Sequence, residues 1–394
     1  MSNTTPAPGG PIGVWLVGAR GSVATTVMAG AAAVTAGLTP PTGMVAELPA
    51  FHQAGLPTLD RLVFGGHDPD TTPLAKRAAH LTRAGILPPA LLPSVLPALE
   101  VADREIRPGH LGPCGVPQAE VAQVLRADLE AFRERRRLAH LIVVNVASTE
   151  PPAQAHPAHL DLAALEEALA IRDDVLPMSS LYAYAALRAG AGYVNFTPSP
   201  GIHLPALRQL ADHLGLPYAG SDGKTGETLV RTALAPMFAH RALRVRSWSG
   251  TNLLGGGDGA TLSSPAAAAS KNAFKQSGLH AMLGNHVEGL THIDYVPSLG
   301  ESKTAWDHIA FEGFLGAPMT LQFTWQGWDS ALAAPLVLDL ARFLARAREL
   351  GACGAQEQLS FFFKDPLTAT QAPAEHRLVT QYETLLAWYG RSTR

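Results

Sequence analysis

The stretch that most constrains the fold comes first. Ile12 to Val17 is a short apolar run ending in Gly18-Ala-Arg-Gly21-Ser-Val-Ala24, and an alanine-rich helical segment follows to about Ala36. Strand, glycine turn and helix in that order point to an α/β layout with a parallel sheet. The order also suits a dinucleotide. Small residues let the backbone approach a pyrophosphate, and the helix N-terminus offers unpaired N–H groups and the positive end of a dipole. The spacing departs from G-x-G-x-x-G, because Arg20 holds the second glycine position and the next small residue comes at Ala24. Taken alone, the motif also reads as a plain strand-to-helix turn.

The pattern repeats. Leu62 to Phe64 runs into Gly65-Gly66-His-Asp68, an acid at a strand end that can accept from a ribose or, more commonly, cap the next helix. Residues 118–137 have helical apolar spacing and end in a basic run, most simply a solvated helix C-terminus. They lead to Leu141-Ile-Val-Val144, a buried parallel-type strand whose end turns polar at Ser148-Thr149-Glu150, where doubly wound sheets open their ligand crevice. A helix near 180–189 and a strand from Tyr193 to Thr197 continue the alternation. A second small-residue loop, Gly220-Ser-Asp222-Gly-Lys224-Thr-Gly-Glu-Thr228, opens a helix to about His240. Its composition suits phosphate, although it lacks P-loop spacing and also reads as an ordinary capped helix start.

From Leu243 the period changes. Residues 243–246, 290–296 and 319–325 alternate apolar and polar, as strands with one face in a core do. Residues 335–350 then return to helical spacing. These features predict a Rossmann-type doubly wound parallel sheet from residues 11–240 and 329–394, with an inserted α+β catalytic and oligomerisation domain at 241–328. Residues 1–10 read as a flexible tail with no signal-peptide pattern.

Composition excludes several classes. The 394 residues are 47% hydrophobic and 16% charged, fitting a well-packed enzyme. A net charge of -3 argues against nucleic acid as partner. Cys114 and Cys353 are too few for a disulfide framework or a cysteine metal site. With no apolar run of about 20 residues, no membrane span is expected, and a cytoplasmic protein is the default.

Lysine is the marked residue. It stands at only six positions, Lys76, Lys224, Lys271, Lys275, Lys303 and Lys364, whereas most positive charge is arginine. Lys271, Lys275 and Lys303 fall in one stretch beside glycine, serine or a carboxylate. An ammonium is a compact donor suited to a phosphate or a developing oxyanion. A scatter of solvated surface lysines is the plainer reading of any single one.

Several separated motifs together resemble the myo-inositol phosphate synthases. They are Val63 to Asp68, Val146 to Glu150, Gly220 to Gly226, Asn252 to Asp258, Ser270-Lys271 with Lys275, Tyr295 to Lys303, Asp329-Ser330 with Ala333 to Pro335, and Phe363-Lys364. The resemblance implies conversion of glucose 6-phosphate to an inositol phosphate, with a tightly held NAD reduced and reoxidised in one turnover. It places Gly18, Gly21, Ser22, Asp68, Ala147, Ser148, Thr149, Asp222, Asp258 and Ser330 at NAD. Thr225, Gly226, Glu227 and Thr228, with Lys275 and Lys303, would hold the substrate phosphate. Lys271, Lys303 and Lys364 would assist the chemistry, with Asp329 orienting lysine or nicotinamide. A homotetramer and a divalent or monovalent cation are further implications, with no metal ligand named; His292 and Asp294 on one strand read more simply as structural.

Departures bear on the substrate. Gly256 and Gly257 stand where the family has asparagines, Glu301 where it has aspartate, and Glu227 where it has glutamine. A desolvated carboxylate beside a dianion would cost up to a few kcal/mol. A paralogue closing another sugar phosphate to a five-membered ring, a simple NAD-dependent dehydrogenase and a non-catalytic nucleotide-binding regulator remain rival readings.

Overall fold

The computed structural model describes residues 9–256, 279, 282–284, 287–370 and 373–391. Its strands are β1 (Ile12–Val17), β2 (Leu62–Asp68), β3 (Ile106–Pro108), β4 (His140–Asn145), β5 (Gly192–Asn195), β6 (Pro217–Gly220), β7 (Arg244–Leu254), β8 (Thr291–Tyr295), β9 (Ser302–Glu312), β10 (Pro318–Trp328) and β11 (Gly354–Ala355). One sheet has the order β11-β6-β5-β4-β1-β2-β3, with every pair parallel. The order reverses between β1 and β4, so a crevice opens beyond their C-terminal ends.

Both faces of this sheet are covered. Val14, Leu16, Ile142 and Val144 point into one core with α1 (Ser22–Thr35), α2 (Leu74–Arg83) and α3 (Leu92–Asp103). Trp15, Val17, Leu141 and Val143 point into the other, against α4 (Gln118–Arg136), α5 (Leu162–Leu169), α6 (Met178–Arg188) and α7 (Pro205–His213). Burial on two sides is why these strands are continuously apolar rather than alternating.

After α8 (Glu227–His240) the chain builds the second sheet, β10-β9-β7-β8, in which β9 is antiparallel to both neighbours and β8 is parallel to β7. The alternation expected there is present. Val245, Trp248 and Ile309 are buried against Ala235 and Phe238 of α8, whereas Trp306 and Trp328 are exposed on the opposite side. Helix α9 (Asp329–Glu349) then returns to the first core, followed by α10 (Leu378–Arg391).

One boundary differs from expectation. The helix expected from Pro335 begins six residues earlier at Asp329 and carries Pro335 inside it. Proline favours a first helical turn, which made it look like the start. The apolar run 359–363 lies mostly in a 3-10 turn, Glu357–Phe362. No helix among the described residues is long and apolar enough to cross a membrane.

Candidate active site

The crevice is built mainly by backbone. Gly18 turns the chain out of β1 with φ +86°, and a Cβ on it would lie 2.8 Å from Ala147 Cα. Only glycine meets both demands. The N–H groups of Gly18 and Ala19 donate to His67 O at 2.9 and 3.2 Å, tying the turn to the end of β2. Asp68 accepts from the N–H of Arg20 at 2.7 Å and of Asp70 at 2.8 Å, so its carboxylate organises the loop.

Arg20 does not intrude on this crevice as its position in the motif suggested. Its guanidinium pairs with Asp103 of α3 and donates to Thr72 O at 2.8 Å. Gly18, Gly21, Ser22, Asp68, Ala147, Ser148 and Thr149 therefore surround the C-terminal ends of β1, β2 and β4, with Ser148 exposed. The residues present fit a dinucleotide: a turn with no side chain at its closest approach, and a helix N-terminus behind it.

From the crevice, polar contacts lead to a second depression. Asn145 donates to Thr197 Oγ1 at 3.2 Å, and the N–H of Asp222 donates to Thr197 O at 3.3 Å. Asp222 holds a left-handed φ of 59°, unusual for a residue with a side chain. Residues 220–224 are zipped to 362–367 by paired backbone bonds, including Lys364 N–H to Asp222 O at 2.7 Å and Lys224 N–H to Phe362 O at 2.8 Å. This ladder delivers the late-coming Lys364, whose Nζ lies 2.9 Å from Asp222 Oδ1. Beside it, His203 bonds Ser221 Oγ at 2.9 Å, and burial pushes its pKa down to about 4.

Thr225, Gly226, Glu227 and Thr228 form one wall of an open cleft, and Asn252, Leu254, Ile293, Lys303 and Lys364 complete it. Glu227 begins α8, so the cleft lies at that helix's N-terminus, the positive end of its dipole. Lys303 enters from β9, with Nζ 3.0 Å from Asp329 Oδ2, and Thr225 Oγ1 lies 3.4 Å from Asp329 Oδ1. The feared carboxylate at 227 is ion-paired with Arg231. Ser330, one residue into α9, is 5% exposed, and its Oγ has no hydrogen-bond partner among the described residues.

Lys303 and Lys364 thus meet in one cleft. Lys271, Lys275 and Asp258 lie outside the described residues. Lys224, beside the phosphate loop in sequence, points away: it is 3% exposed, bonded to Gln381 of α10, and burial pushes its pKa down to about 7.

Asn252 was not singled out as a site residue. It is 3% exposed, lines the cleft, and its Oδ1 has no partner among the described residues. The available signal was an amide on the inward-facing side of β7, two residues before Leu254. His292 and Asp294 are both exposed on β8, and the described residues hold no group of three or more His, Cys, Asp or Glu placed to bind a metal ion.

Comparison with known proteins agrees with this geometry. An NAD-binding family model described as myo-inositol-1-phosphate synthase matches residues 12–390. Inositol-3-phosphate synthase 1 of Bacteroides thetaiotaomicron is 32% identical over 401 residues, covering 95% of this chain and 93% of that one. The crystal structure of inositol-3-phosphate synthase from Caenorhabditis elegans superposes with a TM-score of 0.88 at 22% identity, over 98% of this chain and 86% of that one. A myo-inositol-1-phosphate synthase-related protein from Thermotoga maritima gives a TM-score of 0.76 at 23% identity, over 96% and 98%. The chain belongs to the myo-inositol-1-phosphate synthase family and is an enzyme of that class.

Proposed function

We propose that the cleft binds D-glucose 6-phosphate and converts it to 1D-myo-inositol 3-phosphate by oxidation, enolisation, aldol closure and re-reduction. The supporting observation is the meeting of Lys303 and Lys364 with the Thr225–Thr228 turn around one cleft beside the β1–β4 crevice. Backbone N–H groups at the α8 N-terminus and the hydroxyls of Thr225 and Thr228 hold the phosphate. Lys275 adds charge there by family resemblance. Gly18, Gly21, Ser22, Asp68, Ala147, Ser148, Thr149, Asp222, Asp258 and Ser330 hold NAD, which when bound supplies reversible hydride exchange with carbon 5 of the sugar.

The chain's own residues supply the rest. A ketone at carbon 5 makes the neighbouring carbon 6 acidic; its proton passes to Lys271 or to the substrate's own phosphate, and the ammonium of Lys303 or Lys364 at the ketone oxygen stabilises the enolate. A second ammonium offsets charge on the carbon 1 oxygen as the ring closes. Asp329 fixes Lys303, and Asp222 fixes Lys364, by ion pairing. Lys271 joins them by resemblance.

Incubation with glucose 6-phosphate and NAD, followed by NMR of the product, tests this reading. Inositol phosphate should form with no NADH beyond the enzyme-bound amount. A five-membered cyclitol phosphate from a ketose phosphate, or steady NADH release, would overturn it. We also propose that residues 241–328 form the catalytic and assembly domain of a homotetramer, with the outer face of the second sheet as a contact; a monomeric mass by light scattering would refute that.

A further inference from the structure

Behind the phosphate end of the cleft lies a charged network that the proposed chemistry does not use. Glu227, Arg231 and Asp307 are 3%, 2% and 1% exposed. Arg231 pairs with Glu227 one helical turn away, and its Nη2 lies 2.7 Å from Asp307 Oδ1 on β9. The same guanidinium donates to Thr291 Oγ1 at 3.1 Å and sits 5.5 Å from the Trp248 ring, whose Nε1 donates to Asp307 Oδ1 at 2.7 Å. Space for the pair is built in at Gly250 of β7. A Cβ there would lie 3.0 Å from Asp307 Oδ1 and 3.1 Å from Arg231 Nη2.

Of the three, Glu227 lines the cleft, at the turn where the substrate phosphate is placed. A carboxylate in that position opposes a dianion unless its charge is answered, and buried charges are answered by partners rather than by water. Among the described residues, Arg231 is one partner this chain supplies. It is shared, because Asp307 accepts from the same guanidinium.

We propose that Arg231 is a specificity-determining residue that masks Glu227 from the substrate phosphate, and that Asp307 tunes the masking by drawing on the same guanidinium. The proposal rests on the phosphate end lying at the α8 N-terminus. Burial and the nearby Glu227 raise the Asp307 pKa to about 6, against the lowering pull of Arg231 and Trp248. Asp307 therefore loses its proton around pH 6, and phosphate binding weakens as pH rises through that value.

The test measures binding of inorganic phosphate to the full-length protein with NAD present, by calorimetry. Arg231→Met should weaken it at least about tenfold, the smallest effect expected of an unmasked buried carboxylate beside an anion. Glu227→Gln/Arg231→Met should recover most of that loss, which a merely unfolded or loosened site would not do. Asp307→Asn should tighten phosphate binding and flatten its pH profile between pH 5 and pH 8. If Arg231→Met does not fold, the gain expected of Asp307→Asn still decides the matter. Wild-type protein that fails to bind phosphate would overturn both the placement of the phosphate and this proposal. With wild-type binding intact, unchanged affinity in Arg231→Met, or no gain in Asp307→Asn, would overturn this one alone.

Discussion

The crevice at Gly18 and the cleft at Thr225 lie close together but are made by opposite means. At the crevice the decisive groups are backbone: Gly18 against Ala147, and N–H groups bonded to His67 O and the Asp68 carboxylate. The Arg20 side chain there faces α3. At the cleft the decisive groups are side chains from separate elements. Each charge there has a counter-ion: Lys303 with Asp329, Lys364 with Asp222, and Glu227 with Arg231. A site made of backbone tolerates changes of residue type as long as nothing fills the turn, whereas a site made of paired charges depends on the identity of each member.

If that contrast holds, the two sites fail independently. Lys303→Ala should lower turnover about a thousandfold, the scale of losing a donor at a developing oxyanion. NAD binding, followed by tryptophan fluorescence, should stay within about twofold, because Lys303 lies in the cleft. Loss of both together would break the comparison. Gly18→Val is the converse. Its φ of +86° and the 2.8 Å approach to Ala147 should weaken NAD about a hundredfold. Inorganic phosphate should still bind.

The same contrast explains what the sequence could reveal. The crevice is local: an apolar strand, a glycine and a helix within one short stretch fix most of it, and the polar ends of β2 and β4 announce the rest. The parallel sheet was legible for that reason, and so was the change to alternation at β7. The cleft is assembled at long range. Nothing near Lys364 shows that its neighbours pair backbone to backbone with residues 220–224, and nothing near Glu227 shows that Asp307 will share its arginine. Only the resemblance to a family tied Lys364 to the 220–228 loop, and it named neither Arg231 nor Asp307. Strand β9, which carries Lys303 and Asp307, went unread because its inward positions mix Lys303, Ala305, Asp307 and Ile309, so the usual apolar alternation is broken by the charges that serve the site.

Lys224 sharpens the comparison from within the phosphate loop, because its charge is answered differently from those in the cleft. Its amine is bonded to Gln381 and lies 5.9 Å from the Phe361 ring, and burial lowers its pKa from 10.5 to about 7. In the unfolded chain the amine stays charged up to about 10.5, whereas in the folded protein it loses its proton above about 7. The unfolded state therefore binds the extra proton, and stability from this group rises with pH across that window and is lost as pH falls toward 7. Relative to Lys224→Met, wild-type unfolding free energy should increase on the order of 2 kcal/mol between pH 7 and pH 9, measured by urea unfolding. A parallel pair of curves would mean the amine stays charged when folded.

The smallest expected effect belongs to Arg20, the residue that most disturbs the glycine motif. What reaches the crevice from this position is its N–H, bonded to Asp68 Oδ2, and that bond needs no side chain. The guanidinium instead spans Asp103 and Thr72 O, clamping α3 against the loop before α2. Arg20→Ala should therefore leave NAD affinity within about threefold while costing about 1 kcal/mol of stability, the scale of one partly exposed charge-assisted contact. The same logic makes Arg20→Gly, which restores the motif's glycine, no better than alanine for the cofactor and slightly worse for stability, because glycine adds backbone freedom to the unfolded chain. Tighter NAD binding in the glycine variant than in wild type would mean that the arginine side chain does reach the pyrophosphate turn, and that residue type matters at both sites alike.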